Sequence, residues 1–120
     1  MTALRILAVT VDCRRPELLA EFWRQALGHG KTREWTDSHG LTYLQLEFDD
    51  GPALLFQPVP EEKPGKNRLH LDLAPADRDQ RAEVERLVML GARVLDDPPG
   101  DPWIVLADPE GNEFCVLPPR

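Results

Sequence analysis

The order of secondary-structure signals constrains this chain most, because it occurs twice. A short apolar run, a helical stripe and three further strand-like runs fill residues 6–59, and the same series returns over residues 69–117. Each series takes about 60 residues, the size of a supersecondary module rather than of one element. The residue identities of the two halves hardly match; only the order repeats. This predicts an α+β fold of two βαβββ modules, spanning about 5–60 and about 67–118 of a single domain over residues 1–120.

In the first half, residues 6–11 are nearly continuous in apolar character and suit a buried strand. Pro16 suits a first helical turn, where its missing N–H costs nothing. Leu18, Leu19, Phe22, Trp23, Ala26 and Leu27 follow at spacings of three and four, and Gly28 is the natural stop. Arg15 is a poor N-cap. Residues 31–35, 41–48 and 53–59 read as strands, with Leu44, Leu46 and Phe48 alternating against Tyr43, Gln45 and Glu47. Asp37 to Gly40 and Asp49 to Gly51 carry turn chemistry. The polar connection 61–66 separates the halves.

In the second half, Leu69, Leu71 and Leu73 alternate with His70 and Asp72, the period of a strand with two unlike faces. Residues 77–90 then carry helical spacing through Val84, Leu87 and Val88, with Gly91 as the stop. Strands are expected at 92–95, 103–107 and 113–117, the last two joined by the turn Asp108 to Gly111.

Composition excludes several classes. The chain has 120 residues, 42% hydrophobic and 29% charged, which is globular rather than disordered. A net charge of −7 without a basic face argues against nucleic acid. No apolar run approaches the ~20 residues of a membrane span, and the N-terminus lacks a signal peptide's apolar region. Two cysteines, Cys13 and Cys115, are too few for a disulfide scaffold, so a reduced cytoplasmic protein is expected.

Three stretches then point to a family. They are Val9 to Gly28, with Phe22-Trp23 and a closing Leu-Gly; the run Asn-Arg-Leu-His-Leu-Asp-Leu ending at Leu73; and Asp-Pro-Glu-Gly-Asn from Asp108. On these the chain resembles the glyoxalase-like branch of the vicinal oxygen chelate superfamily (glyoxalase, bleomycin-resistance and dioxygenase proteins). The resemblance implies a cupped mixed sheet. In metal-using relatives, two histidines and two carboxylates from the first and last strands of each half hold a divalent cation. Carried over, one ligand position falls on His70, its first-half counterpart on Ala8, a third on Cys115 and the fourth near Leu55 or Gln57. The standard set is therefore lost. No cofactor is expected, and a divalent metal held by His70, Gln57 and Cys115 is the alternative.

His70 is the candidate catalytic or ligand-binding residue, weighed against a plain hydrogen-bonded histidine lining a pocket. Gln57, Cys115, Trp35, Tyr43 and Trp103 are the other ligand-binding candidates, on strands that line the cup in relatives. Asp72 shares His70's face, but positions two apart on a strand are about 7 Å apart, so contact through solvent is expected. The turn at Asp108 lacks the spaced oxygens of a calcium loop, and no phosphate loop or nucleophile elbow occurs. The expected function is binding of a small, partly apolar molecule without a standard catalytic metal, by a homodimer. The alternative is a lyase, isomerase or dioxygenase with His70 as base or with an atypical metal.

Overall fold

A parallel pairing between the first and last strands closes each half of the chain. The computed structural model describes residues 3–120, which form two compact units, the first ending at Glu62 and the second beginning at Lys63. The first contains β1 (Ala8–Cys13), α1 (Pro16–Leu27), β2 (Lys31–Thr36), β3 (Thr42–Glu47) and β4 (Ala53–Pro58). The second contains β5 (Leu71–Leu73), α2 (Gln80–Leu90), β6 (Arg93–Asp96), β7 (Ile104–Ala107) and β8 (Glu113–Val116). Each unit holds one four-stranded mixed sheet, in the orders β1-β4-β3-β2 and β5-β8-β7-β6. The repeated βαβββ plan is therefore present, with the same strand order in both units.

In the first unit, α1 lies against β3 and β4. Leu19, Phe22 and Trp23 are buried with Leu44, Leu46, Leu54 and Phe56, as the spacing predicts. Burying each such side chain stabilises by about 1.5–3 kcal/mol. Phe22 and Trp23 meet edge to face at 5.2 Å. Leu18 is exposed, so the apolar stripe is narrower than expected. Arg15 gives no side-chain cap, and Pro16 starts the helix. Gly28 ends it at φ 77°, a conformation that favours glycine, and its N–H reaches the Arg24 carbonyl.

In the second unit, Val84 and Leu87 are buried with Ile104, Leu106, Phe114 and Val116, while Val88 is exposed. The helix begins three residues later than expected. Asp79 caps it by accepting from the Ala82 N–H at 2.9 Å, which leaves Asp77 outside.

Both opening strands differ from expectation. The first starts at Ala8, its β4 pairing running from Ala8 opposite Ala53 to Cys13 opposite Pro58, and Ile6 is exposed. The second starts at Leu71, opposite Phe114, so His70 immediately precedes the strand rather than lying inside it. The Asn67 N–H donates to the Glu113 carboxylate at 3.0 Å, so a side chain takes up this backbone group before the ladder begins.

Candidate ligand-binding site

The register within each unit fixes which positions correspond. The Val59 N–H donates to the Cys13 carbonyl, and the Leu117 N–H to the Leu73 carbonyl. Asp12 pairs with Gln57, and Asp72 with Cys115. His70, two residues before Asp72, therefore corresponds to Thr10, two residues before Asp12, and not to Ala8. The assignment to Ala8 is displaced by two residues, because alternating apolar strands match equally well after a slip of two.

β5, β7 and β8 build one cavity of about 340 Å³ in the second unit. Its polar wall is Lys66, His70, Asp72, Glu113 and Cys115, and its apolar wall Trp103, Val105, Phe114 and Leu117. The middle of the floor is one row across three strands, Asp72 beside Cys115 and Cys115 beside Val105. Cys115 is thus fixed on a central strand. Its thiol pKa is raised, first by burial and then by the charge and hydrogen-bond acceptance of the Asp72 carboxylate, with Lys66 opposing.

His70 Nε2 lies 3.3 Å from Asp72 Oδ1, a direct contact where one through solvent was expected. A separation of about 7 Å holds only where both residues lie in a regular strand. His70 precedes the strand, so its ring can lean back over Asp72. Trp103 stands just before β7 and is 41% exposed, leaving one aromatic face at the rim. Gln80 at the start of α2 steadies that segment, its amide donating to the carbonyls of Pro102 at 2.6 Å and Val116 at 2.8 Å.

Glu113 enters the wall from β8. Burial works to raise its pKa, but the Asn67 N–H and the Lys63 ammonium at 3.0 Å outweigh this, and the net shift is downward. Lys66 and Glu113 were not singled out from sequence. Glu113 was within reach, because it sits two residues before Cys115 and so shares its face.

The remaining candidates lie in the first unit. Gln57 is half-buried on β4 beside Asp12. Trp35 and Tyr43 are cross-strand partners whose rings stack at 5.7 Å, with the Arg33 guanidinium 5.3 Å above Trp35. The Tyr43 hydroxyl donates to Asp37 at 2.9 Å. Asp37 also accepts from the His39 and Leu41 N–H groups, so Tyr43 is tied to its neighbouring turn.

Two units of one strand order match the plan that the vicinal oxygen chelate resemblance implies. The sequence model described as "Glyoxalase-like domain" matches residues 8–117, and the chain belongs to that family. None of the curated proteins matches it. Among solved structures, it is similar to TnmS3, an antibiotic binding protein from Streptomyces sp. CB03234, at 22% identity over 100% of this chain and 99% of that one (TM-score 0.68). It is also similar to the fosfomycin resistance protein FosX of Listeria monocytogenes in complex with Mn(II), at 12% identity over 96% and 92% (TM-score 0.72). A third is the trypanothione-dependent glyoxalase I of Leishmania major, at 15% identity over 97% and 87% (TM-score 0.68). These likenesses concern the fold.

The fold class implies a divalent cation, and donor chemistry tests the fit. By register the implied ligand positions are Thr10, Gln57, His70 and Cys115. These four positions carry a hydroxyl, a neutral amide, an imidazole and a thiol, and none carries a carboxylate. Cations that favour octahedral oxygen ligands are poorly served by this set, and the residues do not fit such a metal.

Proposed function

We propose that the chain binds a small, partly apolar organic molecule in the cavity of its second unit, without the standard catalytic metal. The observation that carries this reading is the wall itself. His70, held by Asp72, faces the same space as the Trp103 ring, within a volume typical of ligand pockets. The antibiotic-binding relative supports a binding role on this fold. A ring nitrogen of His70 anchors the ligand's polar group, and Trp103 and Leu117 cover its apolar part.

Tryptophan fluorescence tests this directly. Trp23 is buried in the first unit and Trp35 is stacked on Tyr43, so Trp103 is the reporter at the cavity. Titration with a panel of small phenols and aromatic amides is expected to give saturable changes that vanish in Trp103→Phe. Changes that survive in this variant would contradict the reading.

The His70–Asp72 contact favours a second reading, an enzyme in which His70 acts as a base oriented by Asp72. Turnover of a bound compound, abolished in His70→Gln, would establish it. The proposed assembly is a homodimer in the cytoplasm. Exposed Ile6, Leu7 and Leu69 support self-association, and the free cysteines suit a reducing compartment. A monomer by light scattering at micromolar concentration would contradict the dimer. Among the described residues, no helix is long and apolar enough to cross a membrane.

A further inference from the structure

We propose that His70, Asp72 and Cys115 form a site for a thiophilic divalent cation of the zinc class, contained wholly within the second unit. The proposal departs from the ligand pattern implied by the family resemblance, since Asp72 has no place there and Thr10 and Gln57 are not needed here.

The geometry supplies three different donors in one place. An imidazole nitrogen, a carboxylate oxygen and the Cys115 sulfur all lie within 4.8 Å of one another. Ligands about 2.0–2.3 Å from a tetrahedral ion sit about 3.3–3.8 Å apart, so about an ångström of closure completes the set. The pieces that must move are free to do so. The His70 and Asp72 side chains are 43% and 57% exposed, whereas Cys115 is fixed between β5 and β7.

The chemistry selects the ion. Imidazole, carboxylate and thiolate together suit zinc or its surrogates cobalt and cadmium, whereas manganese and magnesium favour all-oxygen sets. The carboxylate beside the sulfur, which disfavours a bare thiolate, becomes favourable once a dication lies between them. When the metal–sulfur bond forms, the Cys115 proton leaves to solvent; no electron is transferred. Three protein ligands facing an open cavity leave the fourth position for water or for an oxygen of a bound molecule. This site shares the cavity of the organic ligand but does not depend on that ligand's existence, and its readout is separate.

The test is a titration of reduced, tag-free protein with Co²⁺, followed by the thiolate-to-cobalt charge-transfer band in the near ultraviolet. The expected result is a band that saturates at one ion per chain, is displaced by Zn²⁺ and is not prevented by excess Mn²⁺. It is expected to vanish in Cys115→Ser and to persist in Cys13→Ser. Asp72→Asn and His70→Gln, at exposed positions, are expected to weaken Co²⁺ by more than the roughly 10–100-fold cost of losing an outer partner. Absence of the band, its survival in Cys115→Ser or its loss in a folded Cys13→Ser would overturn the proposal. If Cys115→Ser fails to fold, unchanged Co²⁺ affinity in both Asp72→Asn and His70→Gln would overturn it.

Discussion

Oδ1 of Asp72 lies 3.3 Å from Nε2 of His70, two residues earlier in the chain, so the ring is positioned by the strand that follows it. The contact is half exposed and contributes little to folding by itself. Its consequence is orientation. His70→Ala is expected to weaken binding of a compound selected by fluorescence by about 1–2 kcal/mol, the scale of one lost hydrogen bond. The melting temperature is expected to stay close to wild type. Calorimetry and a thermal melt check the two parts, and a collapsed fold would assign His70 a structural role.

Gln80 joins the start of α2 to the segment carrying Trp103. Gln80→Ala is expected to lose about 1–2 kcal/mol of stability, the net value of two hydrogen bonds. It also frees the rim, so Trp103 emission is expected to shift to the red. Denaturant unfolding and an emission spectrum are the measurements.

Asp108 is 4% exposed and organises the β7–β8 turn. Its Oδ1 accepts from the Glu110 and Asn112 N–H groups, and the Asn112 side-chain amide donates to both of its oxygens. Asn112 then accepts from the Asn67 amide, which ties the turn to the approach of His70. Asp108→Ala is expected to cost about 2–4 kcal/mol, since two half-buried N–H groups and the Asn112 amide lose their acceptor. The similar Asp37 turn is more exposed, and Asp37→Ala is expected to cost less. Parallel denaturation curves compare them.

Glu113 gives stability an acid dependence. Its folded pKa is lowered by the Asn67 N–H and Lys63 against the opposing effect of burial. Its contribution is therefore fully present above the ordinary glutamate range and is lost as pH falls through the lowered folded value. The stability difference between wild type and Glu113→Gln is expected to be constant near neutrality and to shrink in acid. A difference that grows on acidification would contradict the assignment.

Much of the fold was legible because periodicity and punctuation agreed. The α1 stripe of Leu19, Phe22 and Trp23, its Pro16 start and its Gly28 stop all follow from spacing and backbone preference. The start of α2 was misplaced because the capping side chain of Asp79 prevails over the charged residues before it. At the site, His70, Cys115 and Trp103 share a cavity, which alternation along the strands could suggest. The correspondence of His70 with Thr10 was hidden, because register depends on cross-strand pairing. The direct reach of His70 to Asp72 was hidden too, because it depends on where the strand begins. Tyr43 reads as a cup aromatic in sequence, yet its hydroxyl is held by the Asp37 turn.

The most direct test of the central claim is a map of amide chemical-shift changes as isotope-labelled protein is titrated with a phenol or aromatic amide that binds. The account predicts the largest changes at His70, Asp72, Trp103 and Cys115, saturating together with one dissociation constant. Changes centred instead on Trp35 and Tyr43, with the residues of the second-unit cavity unmoved, would contradict it.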